Sequence, residues 1–123
     1  MRYRSPRKHD GDHLDFIRQL PCLCCGNNIE TEAAHVRYSE RMVCKRPTGM
    51  GEKPDDAFAV PLCGRCHRDQ HGMNEREFWR MQGIDPIKVA LALYYWSGDA
   101  DACAVILTAA RDQSAMALSG DIR

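Results

Sequence analysis

Two short cysteine pairs constrain this chain more than any other feature: Cys22-x-x-Cys25 and Cys63-x-x-Cys66, with thirty-seven residues between them. Four thiolates in two tight turns make the donor set of a tetrahedral structural zinc ion. Gly26 and Asn27 follow the first pair and Gly64 lies inside the second, so each pair has turn chemistry of its own. A chain of 123 residues has room for one compact domain and hardly for two. Cys24 leaves the ligand set open, because it can replace Cys25 in a shorter bite. Cys44, in a basic loop, reads as a free thiol, and Cys103, on an Ala-rich helix, as a small core residue.

The seven cysteines are an odd number, and the opening stretch MRYRSPRKHDGDH is polar with no apolar core. These features predict no secretory signal and a cytoplasmic chain whose reduced thiols bind metal instead of pairing as disulfides. Cys63-Gly-Arg-Cys66-His67 also matches the attachment signature of c-type haem. That chemistry needs export, and it leaves Cys22 and Cys25 without a purpose. The longest apolar stretch, 87–96, falls well short of the ~20 residues that span a bilayer.

Net charge is zero, seventeen basic against seventeen acidic side chains, and argues for no partner by itself. The distribution is less even: residues 1–82 hold fourteen basic and twelve acidic groups, residues 83–123 three and five. Arg2, Arg4, Arg7 and Lys8 cluster at the start, and Arg37, Arg41, Lys45, Arg46 and Lys53 thread a loop over 37–56. Local fields of this kind can steer a polyanion past a neutral whole. The first twelve residues read as a basic flexible arm. Residues 13–123 then form one domain, with a zinc core over 13–82 and a helical extension over 83–123.

The element signals are mostly local. Asp12 is the expected cap of a helix running to Leu20, with Pro21 as its stop. Residues 29–36 and 58–62 read as short strands. A helix is expected from the second knuckle through His71 to Gly72, and another after the Asn74 cap, closed by Gly83. Asp85-Pro86 opens a third, apolar nearly all round and so expected to be buried, closed by Gly98. A last helix starts at Asp99 or Asp101 and is closed by Gly120.

Three of the five histidines occupy chemically suggestive places. His67 follows Cys66 directly, and His71 comes four residues later, which puts both imidazoles on one helix face at the spacing that holds a divalent ion. His35 stands at the end of the first strand, beside Arg37. His9 and His13 are expected to be solvent-exposed.

The segments CLCCG, AAHVRY, GMGEKPDD and PLCGRCHRDQH, in that order, resemble the HNH nucleases, the ββα-metal superfamily. More narrowly they are similar to phage and prophage members, including the recombination-enhancement, RecA-dependent nuclease group. The resemblance covers roughly residues 13–97. It implies an α+β fold: a small ββα-metal core with two zinc knuckles, flanked by one N-terminal and two or three C-terminal helices. It also implies a metal-dependent endonuclease that hydrolyses DNA phosphodiester bonds in recombination or DNA processing, with a recombinase filament as a candidate partner. His35 matches the general base, and His67 the helix histidine that binds the catalytic divalent cation, such as Mg²⁺ or Mn²⁺, with Ni²⁺ and zinc also open. His71 matches a second helix ligand, and Asp56 falls near the middle position that orients the base or assists the metal. Arg37, Arg41, Lys45, Arg46 and Lys53 would contact the DNA backbone. Two departures stand out: no asparagine occupies the middle region, and Ala34 precedes His35 where many members place an Asp or His ligand. These departures favour the alternative, a non-catalytic zinc module that binds DNA or a recombination partner. A third reading makes the helical second half an oligomer interface.

Overall fold

The computed structural model describes residues 10–38 and 55–119. The basic cluster from Arg2 to Lys8, His9, the loop residues Arg41, Cys44, Lys45, Arg46 and Lys53, and the expected stop at Gly120 lie outside the described residues.

Helix α1 spans Gly11–Ile17 and is capped by Asp10, whose side chain accepts from the His13 N–H at 3.0 Å. The expected cap, Asp12, lies instead in the first turn, where its charge suits the helix dipole. The helix also ends before Leu20: the amides of Gln19 and Leu20 reach back only three residues, to Phe16 and Ile17. That tighter turn folds Leu20 into the core. Asp10 to Asp12 therefore belong to the folded unit and not to an arm.

Strands β1 (Thr31–His35) and β2 (Ala59–Cys63) form an antiparallel pair in which Thr31 faces Cys63 and His35 faces Ala59. β1 is shorter than the expected 29–36 because Glu30 takes a left-handed φ of 53°, which an extended strand does not allow. The Val36 amide donates to the Phe58 carbonyl, so Ala34–Val60 and Glu32–Leu62 are the hydrogen-bonded pairs of the ladder. Pro61 falls opposite Ala33 in the other class of pair, where its missing N–H costs no ladder bond. Its carbonyl accepts from Leu23, which ties the first knuckle to the free edge of β2. All five residues of β2 are buried, so both of its faces are covered.

Helix α2 (Gly64–His71) follows β2 without a loop and stops at Gly72. Helix α3 (Glu75–Gln82) is capped by Asn74 and ends at Gly83, whose φ of 72° is the left-handed stop that glycine supplies. Helix α4 (Pro86–Tyr95) starts at Asp85, whose carboxylate accepts from the amides of Ile87 and Lys88. Helix α5 (Ala100–Ser119) is begun by Asp99, which accepts from Ala102 N–H. α4 is not buried all round: Ala90 and Leu93 pack into the main core and Ile87 against Val36 and Phe58, while Lys88 is exposed and Tyr95 is 80% exposed.

The main core joins Ile17 of α1 and Leu20 just beyond it, Val60 and Leu62 of β2, Phe78 and Trp79 of α3, Leu93 of α4 and Leu107 of α5. A smaller cluster around Val36, Phe58 and Ile87 closes the far end of the hairpin. None of the described helices is long and apolar enough to cross a membrane.

Candidate metal centre

The first knuckle is a turn held by its own backbone: Cys22 N–H donates to Asn27, and Gly26 N–H to Cys22. Gly26 makes the reversal at φ 77°, a conformation that a side chain would strain. Arg111 of α5 donates to the Cys22 carbonyl at 2.9 Å, so the last helix braces the turn from outside. The second knuckle is the junction of β2 and α2, with Cys63 at the helix N-cap position and Cys66 in the first turn.

The fold brings these two ends together. The sulfurs of Cys22, Cys25, Cys63 and Cys66 all lie within 4.8 Å of one another, and Cys25 Sγ stands 3.7 Å from Cys63 Sγ. Two thiolates bound to one zinc ion at ~2.3 Å and tetrahedral angles stand about 3.8 Å apart, whereas a disulfide requires ~2.05 Å. The four cysteines are thus positioned to hold a metal ion, and Cys25, not Cys24, completes the set. Among the described residues no other group of three or more His, Cys, Asp or Glu side chains meets the same test.

The electrostatics point the same way. A hydrogen bond from Cys24 holds the Cys22 thiol below the usual range, and that same bond raises Cys24. Burial, then the neighbouring thiols, push Cys66 up, and burial raises Cys25. Four thiols packed together cannot all ionise without a counter-charge, and a dication bound at their centre removes that conflict. Cys24 lies outside the four-sulfur set. Cys103 is a buried thiol facing the Trp96 carbonyl, as a small core residue should be.

Two polar groups lie outside the cysteine cluster. In the first, His35 Nε2 is 2.9 Å from Asp56 Oδ1, and Asp56 is buried at 4% exposure. Asp56 Oδ2 accepts from the Asp10 amide at 2.8 Å, and Asp10 Oδ2 accepts in turn from the Tyr94 hydroxyl at 3.3 Å. His13 is buried beside them, with Nδ1 2.7 Å from Ser97 Oγ and its ring edge-on to Tyr94. This overturns its expected exposure: α1 packs its first turn under α4, and His13 points inward. In the second group, His71 Nε2 is 3.1 Å from His67 Nε2, and His67 Nδ1 is 2.6 Å from Glu32 Oε1. Arg37 is exposed just beyond β1, with its amide donating to the Glu75 carboxylate.

Of the residues singled out in the sequence, His35 meets Asp56 and His67 meets His71, while Glu32, Asp10 and Arg111 carry contacts that the sequence did not single out. Asp10 has one local signal, an Asp just ahead of an amphipathic stretch. Glu32 and Arg111 act across long sequence separations and leave none.

The family comparison covers most of this framework. A model described as "Protein of unknown function (DUF968)" matches residues 2–94. The chain belongs to that family. The match takes in both knuckles, the hairpin, α2, α3 and nearly all of α4, and it stops before α5. No curated protein matches the chain. No solved structure does so either.

Proposed function

We propose that this DUF968-family chain is a metal-dependent endonuclease of the HNH type, hydrolysing DNA phosphodiester bonds around a structural zinc centre. One observation carries the reading. A histidine at the end of β1 is hydrogen-bonded to a buried aspartate that is itself locked by the cap of α1. A base needs a fixed ring, and a carboxylate holding one ring nitrogen supplies it. With Nε2 on Asp56, Nδ1 is the nitrogen that takes the proton from the attacking water. An imidazole suits that task at neutral pH.

The order β1, β2, α2, with His67 and His71 on the helix, supports the same reading. Two ring nitrogens bound to one ion at ~2.1 Å stand about 3.0 Å apart at a right angle and about 3.4 Å at a tetrahedral angle, and the observed 3.1 Å fits between. Such an ion would be a divalent cation, with Mn²⁺, Mg²⁺, Ni²⁺ and Zn²⁺ as the candidates, and it would supply charge neutralisation at the scissile phosphate. Arg37, with Arg41, Lys45, Arg46 and Lys53, would contact backbone phosphates and give binding that weakens with salt.

The test is conversion of supercoiled plasmid to open circles by the zinc-loaded protein, with Mg²⁺, with Mn²⁺ and with neither. Nicking that needs the added ion and is lost in His67→Ala is the expected result. Retention of DNA without nicking, on naked and on recombinase-coated strands alike, would favour the non-catalytic binding module.

A further inference from the structure

We propose that Glu32 is a positioning residue for a divalent cation between His67 and His71, fixing the His67 ring through Nδ1 so that Nε2 is presented to the ion. The inference rests on the reading of the histidine pair as a cation site. A carboxylate accepts hydrogen bonds and does not donate them, so the 2.6 Å contact puts the proton of neutral His67 on Nδ1. Nε2 is then the nitrogen with the lone pair, and it faces His71 Nε2 at 3.1 Å. A carboxylate on the far nitrogen of a ligating histidine is the arrangement that sets tautomer and ring direction at metal sites.

The surroundings of Glu32 fit a role in orientation more than one in stability. Its side chain is 54% exposed, and glutamate is a poor strand residue. A contact whose carboxylate is this open to solvent adds little to folding. The contact also joins two elements, β1 and α2, so the hairpin register that sets Glu32 opposite Leu62 determines where the helix histidine is held. With Ala34 unable to offer a ligand, Glu32 is the β1 carboxylate that reaches the histidine pair.

The proposal is tested on the full zinc-loaded chain by titrating Mn²⁺ and reading the free ion by electron paramagnetic resonance. Nitrogen-15 NMR of the imidazoles reads the His67 tautomer before Mn²⁺ is added. Wild type should bind one Mn²⁺ per chain, with His67 protonated at Nδ1. Glu32→Ala should bind it about 10- to 100-fold more weakly and lose that tautomer, with zinc content unchanged. Glu32→Gln, whose amide oxygen still accepts, should keep the tautomer and most of the affinity. Equal Mn²⁺ affinity in wild type and Glu32→Ala would overturn the role of Glu32 alone. No Mn²⁺ bound by wild type would overturn the cation site itself, and this proposal with it.

Discussion

His13 shows what a single buried side chain does to pH dependence. Burial pushes its imidazole below the usual value of 6.5, against the opposing pull of Asp10 and Asp56. A folded-state value below the unfolded one means that the unfolded chain takes up the proton first as pH falls. The stability tied to neutral His13 is therefore fully present above about 6.5 and is lost as pH drops from there through the folded value. Urea midpoints measured from pH 7.5 down to 5 should fall for wild type and fall less for His13→Gln; parallel profiles would contradict this account. Residue roles were only partly legible in the sequence. His35, His67 and the four clustered cysteines lie in compact motifs whose spacing carries meaning. The burial of His13 was not legible, because it depends on Tyr94 of α4 and Ser97 just after it, over eighty residues away, meeting α1.

The helices follow local chemistry closely, and their caps are where that chemistry acts. Asp85 satisfies two orphan amides at the start of α4, while Pro86 removes a donor that has no partner at that position. Asp85→Ala should cost about 1 kcal/mol, read as a lower thermal midpoint with zinc content unchanged. A loss well above ~2 kcal/mol would mean that Asp85 does more than cap. The α2, α3 and α4 limits were legible because Cys63, Asn74, Gly83 and Asp85 are punctuation read within one turn. The strand limits were less so: the left-handed Glu30 has no sequence signature. The brace from Arg111 to Cys22 was hidden for the same reason as Glu32. It is a long-range bond from a helix whose own sequence says only that it is helical.

At the scale of the whole molecule, the cysteine cluster ties the loop after α1 to the β2–α2 junction, and the hairpin closes between them. Metal binding to such a site contributes on the order of 10 kcal/mol to folding, so a domain this small should depend on it. The purified chain should carry one zinc, and chelation should lower and broaden its thermal transition. Cys25→Ser should show the same weakening, whereas Cys24→Ser should retain the metal. An unchanged transition after zinc is stripped would remove the ion from the stability of the fold. Motif order made the β–β–α arrangement legible before any geometry was known, because two knuckles and a histidine-bearing helix leave few ways to connect them. The contact between His35 and Asp56, the pivot of the functional reading, was legible only as a coincidence of positions until the fold closed it to 2.9 Å. The most direct measurement is plasmid nicking by wild type and His35→Ala at equal zinc content and equal DNA retention, with Mn²⁺ or Mg²⁺ supplied. Wild type should nick in an ion-dependent way, and His35→Ala should not nick above background. Nicking by His35→Ala at the wild-type rate would contradict His35 as the base.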